Sequence, residues 1–348
     1  MNKKFGVALA AFGMSGRLFH APFLRAHPGF ELVKVLERQR NDAREEYPEV
    51  EIVRSFDAIL QDPEIDIVVV NTPSLLHVEM TRAALRAGKH VVVEKPFTPT
   101  AAEGKLLVEM AQERGLVLSV YHNRCFASGF QTARKLLAEN AIGKLKSLTM
   151  NLERYRPEPG PKKWKEEPNP AAGLLYDIGV HLFDESLQLF GAPEFITADL
   201  RIQRDNGKVN DFFAIRLDYP DHFVNLNASL LARIPAPAYV IHGDKGTYVK
   251  HSPDIQEKLL IAGVRPLDSN WAEEDESLWG VLSTETGSEK YPTISGNYLD
   301  FYHQLYHHLN KNSPLPVSLS HALRTIKMVE LAILSSDKKC TLRCAFDE

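Results

Sequence analysis

Cysteine is scarce, with three residues in 348. That excludes a disulfide-stapled scaffold and points to a reducing, cytoplasmic setting. No charge of one sign dominates: 41 Lys and Arg stand against 45 Asp and Glu, a net charge of −4. The electrostatic case for nucleic acid or an anionic membrane as the main partner is therefore missing. Long apolar runs are missing as well, and none approaches a membrane span. There is no internal repeat, no low-complexity tract, no G-x-S-x-G elbow and no P-loop. The ordinary hydrophobic fraction of 44% and charged fraction of 25% describe a soluble globular chain, long enough for about two domains.

The N-terminus admits two readings. Lys3-Lys4 ahead of an apolar stretch at 5–12, with Ala8-Leu9-Ala10 inside it, has the outline of a short secretory signal. It also suits a buried first strand running into a glycine turn, the reading adopted because a coherent βαβ pattern follows. Strands are expected at 5–12, 30–36, 50–53, 65–70, 90–93 and 116–120. Helices are expected at 17–26, 41–47, 56–61, after Thr72-Pro73-Ser74 as far as Ala87, and at 100–114. This alternation predicts a parallel sheet with right-handed crossovers, whose ligands bind beyond the carboxyl ends of the strands. After Tyr121 the rhythm changes. A helix at 131–140 and a strand at 145–152 lead to a loop at 156–170 holding five prolines, then a helix at 175–190. Strand-like pieces at 194–204, 211–219, 223–231 and 238–242 predict an antiparallel or mixed sheet. An acidic loop at 268–277 and helices at 296–311 and 318–335 complete an α+β second half.

Four motifs carry chemistry. Ala11-Phe12-Gly13-Met14-Ser15-Gly16 has the spacing of the dinucleotide fingerprint, with Ala at its first position. Gly13 would let backbone approach a pyrophosphate, and Gly16 would let the helix pack closely on the strand. The same residues also suit an ordinary strand-to-helix turn. Glu37, at the end of the second strand, would accept hydrogen bonds from ribose hydroxyls and favour NAD over NADP. Arg38 beside it would instead receive a 2′-phosphate. Glu94-Lys95-Pro96 follows a buried strand, where a lysine can hydrogen-bond a substrate hydroxyl, or can simply face solvent. Asp177 and His181 stand at i and i+4 on one helical face, a pairing suited to general acid/base work or to a satisfied structural pair. His303/His307 and Cys340/Cys344 lack further ligands, and no metal is expected.

Taken together, these residues resemble the glucose-fructose oxidoreductase / inositol dehydrogenase / rhizopine-catabolism family. The resemblance rests on the glycine turn, Phe19-His-Ala-Pro22, Asn71-Thr-Pro73, Ala87 through Pro96, Tyr121-His-Asn-Arg124, Arg154-Tyr-Arg-Pro157 and Leu175 through His181. It is strongest toward the scyllo-inositol dehydrogenase-like branch and covers nearly the whole chain. It implies α/β architecture, with an N-terminal Rossmann doubly wound parallel sheet at 1–122. A C-terminal α+β domain would follow at 123–348, its open, mostly antiparallel sheet making a dimer or tetramer. It implies an NAD(P)-dependent dehydrogenase acting on a cyclic polyol or sugar. Lys95, Asp177 and His181 match catalytic positions. Phe12, Gly13, Met14, Ser15, Gly16, Glu37, Arg38, Asn71, Thr72, Pro73, His77, Glu94, Lys95 and Pro96 match cofactor-binding segments. Asn123 and Trp164, with Asp177 and His181, match positions near the substrate. Departures are Ala11 for the first glycine, Cys125-Phe126-Ala127 where Arg-Trp-Asp is usual, and Ala171-Ala172 where glycines are common. Two alternatives accompany this reading: a catalytically silent sensor of cofactor and sugar, and a reductase of a non-sugar carbonyl.

Overall fold

In the computed structural model, residues 3–269 and 271–346 are described. Two compact units share the chain. The first comprises the N-terminal residues through Asn123 together with Glu257–Trp271 and Asn297–Leu323. The second comprises Arg124–Gln256, Ala272–Gly296 and the C-terminal residues from Arg324. The two late segments that return to the first unit are the difference from a single division after residue 122.

In the first unit, apolar runs become fully buried strands because helices cover both faces of a parallel sheet. Its strands are β1 (Phe5–Leu9), β2 (Phe30–Leu36), β3 (Glu51–Val53), β4 (Ile67–Val70), β5 (His90–Glu94) and β6 (Leu118–Tyr121). Every residue of β1, β4 and β6 is buried. All pairings are parallel, in the order β3-β2-β1-β4-β5-β6. This is the doubly wound dinucleotide-binding order, and the direction of winding reverses between β1 and β4. The helix at Leu299–Lys311 packs here too. Tyr302 and Tyr306 meet Phe30 edge-on, and Phe301 meets Tyr121 edge-on.

The second unit is built on a nine-stranded sheet. Its strands are β7 (Leu145–Asn151), β8 (Phe195–Arg201), β9 (Phe212–Asp218), β10 (Phe223–Ser229), β11 (Tyr239–Gly243), β12 (Gly246–Lys250), β13 (Gly280–Thr284), β14 (Gly287–Tyr291) and β15 (Leu342–Arg343). Their order is β14-β13-β12-β11-β7-β10-β9-β8-β15. Only the β7–β10 pair is parallel, so the sheet is mixed and mostly antiparallel, as expected. Period-two alternation buries one face, with Val224, Leu226 and Ala228 of β10 facing inward. β12, β13, β14 and β15 were not expected; of these Gly287–Tyr291 reads GSEKY and offers no apolar alternation. Among the described residues no helix is long and apolar enough to cross a membrane.

Candidate active site

The turn after β1 and the turn after β4 flank the reversal point and are tied to each other. Ala11 N–H donates to Asn71 Oδ1 at 3.0 Å, and Asn71 Nδ2 donates to Ala11 O at 2.8 Å. Gly16 sits against this pair. A Cβ there would lie 2.4 Å from Ala11 O and 2.8 Å from Asn71 Nδ2. The glycine is therefore required by close approach of helix to strand, as the fingerprint predicts. At Gly13 a Cβ would meet nothing within 4 Å, so the turn leaves open space where a bound pyrophosphate needs bare backbone. Phe12 is buried edge-on to Tyr47, whereas Met14 is exposed. The turn therefore fits a dinucleotide.

The helix after this turn begins earlier than the sequence suggests, at Ser15. Its first stretch, Ser15–His20, is π-helical, with Ala21 N–H reaching Gly16 O, before Ala21–Ala26 continues as α-helix. Pro22 lacks an N–H, and the widened turn ahead of it accommodates that loss.

Glu94 ends β5 and is almost fully buried. Its Oε1 accepts from Ser15 Oγ at 2.5 Å and from His20 Nε2 at 3.1 Å, while Oε2 accepts from Lys95 N–H at 3.0 Å. Burial pushes this carboxyl up. The hydrogen bond and field of His20, the Ser15 hydroxyl and the Lys95 ammonium outweigh that and hold it at about 2. His20 Nδ1 in turn lies 2.7 Å from Tyr302 Oη. Lys95 is half-buried and precedes a cis peptide bond to Pro96.

His77 spans two strand ends, with Nδ1 2.8 Å from Pro96 O and Nε2 3.0 Å from Thr72 O. Burial lowers its pKa, so two carbonyls share what is, in a neutral ring, a single N–H. Thr72 Oγ1 and Ser74 Oγ are buried with no hydrogen-bond partner among the described residues, and Pro73 opens the short turn between β4 and the next helix.

At the end of β2, Glu37 is buried and its Oε2 accepts from Ala43 N–H at 3.0 Å. Arg38 is exposed. Arg54 donates to Glu37 O and Arg40 O at 2.7 and 2.6 Å. The carboxylate expected to meet a ribose thus also caps the helix at Asp42–Glu46.

In the second unit, the helix carrying the other candidates likewise opens with a π-helical stretch, Leu175–Gly179, before Val180–Phe190. Gly173 has φ +89°, and a Cβ there would strike Asn210 at 2.6 Å. That close fit lets Asn210 satisfy two orphan donors of the helix start: Leu174 N–H reaches Asn210 O and Leu175 N–H reaches Asn210 Oδ1, both at 2.8 Å. Asp177 is half-buried and paired with Lys165 at 2.6 Å, whose ammonium also lies 5.3 Å from the Trp164 ring centre. His181 is buried, 4% exposed. Asn123, the last residue of the first unit's N-terminal segment, is also buried and begins a short 3₁₀ turn.

The fold thus brings Gly13, Ser15, Gly16, Asn71, Glu94 and Lys95 together in one unit, and Trp164 and Asp177 in the other. His20, Tyr302, Lys165 and Asn210 had no assigned role in the sequence reading. His20 lay inside a quoted motif, but the other three form no local pattern with their partners.

Comparison with known proteins agrees with this geometry. Residues 5–122 match the oxidoreductase family domain with an NAD-binding Rossmann fold, and residues 134–342 match the C-terminal alpha/beta domain of the same family. The scyllo-inositol 2-dehydrogenase (NADP(+)) IolW of Bacillus subtilis is 36% identical over 97% of this chain and 95% of its own length. The uncharacterised oxidoreductase YdgJ of Escherichia coli is 35% identical, over 98% and 99%. The solved structure of yvaA from Bacillus subtilis superposes with a TM-score of 0.94 at 34% identity, covering 99% of each chain. That of a Bacteroides fragilis protein superposes with a TM-score of 0.90 at 43% identity, covering 98% of this chain and all of its own. The chain belongs to the glucose-fructose oxidoreductase / inositol dehydrogenase / rhizopine-catabolism family of oxidoreductases, with an NAD-binding Rossmann domain.

Proposed function

We propose that the protein is an NAD(P)-dependent dehydrogenase that interconverts a secondary alcohol and a ketone on a cyclic polyol or sugar. The observation that carries this reading is the strand-end cluster. A glycine turn with open space above Gly13 is bonded through Ser15 to the residue preceding Lys95, in a chain whose relative IolW is named a scyllo-inositol 2-dehydrogenase. Gly13, Gly16, Asn71, Thr72, Pro73 and His77 would hold the dinucleotide, and Asn123 and Trp164 would border the substrate. A bound nicotinamide supplies the hydride acceptor or donor. His181 takes the hydroxyl proton during oxidation and returns it during reduction. Lys95 hydrogen-bonds the same oxygen and stabilises alkoxide charge. Asp177 orients His181 or a neighbouring hydroxyl. Its half-exposed pairing with Lys165 is of the weak kind that a substrate can displace.

The residues at the end of β2 bear on cofactor choice. Glu37 favours NAD, whereas Arg38 and the NADP(+) of IolW's name point the other way. The three free cysteines suit a cytoplasmic setting. A homo-dimer or homo-tetramer through the C-terminal sheet fits its open face. There Val281, Val249, Val240, Thr149, Asn225 and Arg216 stand in register across adjacent strands. The deciding experiment incubates the protein with a panel of polyols and sugars and each nicotinamide cofactor, following absorbance of the reduced form. Turnover of a cyclic polyol supports the reading. Cofactor binding with no turnover across the panel favours a sensor, and turnover confined to non-sugar carbonyls favours that class of reductase.

A further inference from the structure

Lys95 is backed by a buried polar chain that runs away from the strand ends. Tyr302 Oη lies 2.7 Å from His20 Nδ1, His20 Nε2 lies 3.1 Å from Glu94 Oε1, and Glu94 Oε2 accepts the Lys95 N–H at 3.0 Å. His20 and Tyr302 are 0% and 1% exposed. Tyr121 packs on the imidazole at 4.4 Å between ring centres, and its own hydroxyl is bonded to Phe19 O. A carboxylate only accepts, so His20 Nε2 carries its proton toward Glu94. Ser15 of the glycine turn shares Glu94 Oε1. One carboxylate therefore fixes both the turn facing the dinucleotide and the backbone of Lys95.

We propose that His20, oriented by Tyr302, is a positioning residue: by donating to Glu94 it holds that carboxylate where it fixes the glycine turn and Lys95 in register. This rests on the reading of Lys95 as the group facing the reacting oxygen. Neither His20 nor Tyr302 contacts the open space at Gly13 in this chain, so both act through Glu94. The ionisable groups facing Glu94 are His20, Lys95, His77 and Tyr302. Among the described residues, His20, the Lys95 backbone and the Ser15 hydroxyl donate to it. Without His20, burial dominates and the carboxyl takes a proton more readily.

The test uses the full-length protein, NADH and NADPH as binding probes, and scyllo-inositol as substrate. Dissociation constants and kcat/KM are measured between about pH 5 and 9. His20→Phe is expected to lower kcat/KM about tenfold or more at neutral pH. It should also bring into both profiles, within about pH 5 to 9, an additional acid limb that wild type, with Glu94 held at about 2, lacks. Tyr302→Phe should do the same to a smaller extent, and His20→Gln, which keeps a donor toward Glu94, should recover most of the loss. A purely packing role would lower the melting temperature and leave the shape of the profiles unchanged. Profiles that superimpose on wild type for both His20→Phe and Tyr302→Phe overturn the proposal. If His20→Phe does not fold, Tyr302→Phe alone decides. If wild type fails to oxidise scyllo-inositol, that counts against the polyol reading, and the cofactor-affinity profile still decides the positioning role through Ser15.

Discussion

Each unit of this protein buries a glutamate that contributes to no hydrophobic core, and the two are handled in opposite ways. Glu94, at the end of β5, is surrounded by donors from Ser15, His20 and the Lys95 backbone and is held at about 2. Glu185, on the helix at Val180–Phe190, has Tyr239 Oη as its hydrogen-bond donor at 2.8 Å. Burial pushes it up to about 8, with Asp184 and Asp254 adding to the rise against Tyr239 and Arg124. Both carboxyls are buried, so the donors and the neighbouring charges decide between them. The strand-end region is organised around a carboxylate kept charged, and the helix of the second unit around a carboxylic acid kept neutral.

The largest effect that would sharpen this contrast comes from Lys95, the group that Glu94 holds. Lys95→Ala should retain NAD(H) or NADP(H) binding by calorimetry and lose turnover by roughly two orders of magnitude or more. Near-normal turnover in both Lys95→Ala and His181→Ala would break the mechanism. Next is Gly13→Val, which fills the open space beside the charged cluster. Dinucleotide affinity should fall at least about tenfold while circular dichroism and melting temperature stay close to wild type. Unchanged affinity would move the phosphate site elsewhere.

Glu185 supplies the opposite test. Its folded pKa of about 8 lies above the ordinary value of 4.5. Its contribution to stability is therefore fully present below about pH 4.5 and is lost as pH rises through 8. Glu185→Gln should flatten this dependence, raising the melting temperature by roughly 3 °C or more near pH 9 and leaving it almost unchanged near pH 5. An identical pH dependence in wild type and variant would place the neutral acid elsewhere. The smallest effect is expected at Glu37, whose carboxylate is partly committed to Ala43 N–H. Glu37→Ser should shift the NAD/NADP affinity ratio a few-fold toward NADP, and an unaltered ratio would remove Glu37 from cofactor choice.

The contrast also marks what could be read from sequence. Ile67–Val70 and the valines of β5 declare themselves as buried parallel strands because both faces are covered. Gly16 declares its close packing through the spacing of the fingerprint. Local signals end there. β14 is polar and exposed up to Lys290, with only Tyr291 partly covered, so no periodicity marks it. Glu94 could be noticed beside Lys95, but not its charge state, which depends on His20, 74 positions earlier. His20 in turn depends on Tyr302, 282 positions away. Lys165 lies in a proline-rich loop with no period of its own, and only the fold sets it against Asp177.

The helix at Leu299–Lys311 carries a consequence for biosynthesis. A ribosome that has released the first 123 residues has made all six strands of the parallel sheet. Tyr302 and Tyr306, which pack on Phe30, follow about 180 residues later. At ordinary elongation rates that delay is roughly 10–35 s. Throughout it the nascent nucleotide-binding unit has apolar rings uncovered and the imidazole of His20 without its phenol. A lesion in this late helix would then register in cells as weak nucleotide binding and chaperone dependence, far from any residue that a reader of the N-terminal motif would suspect.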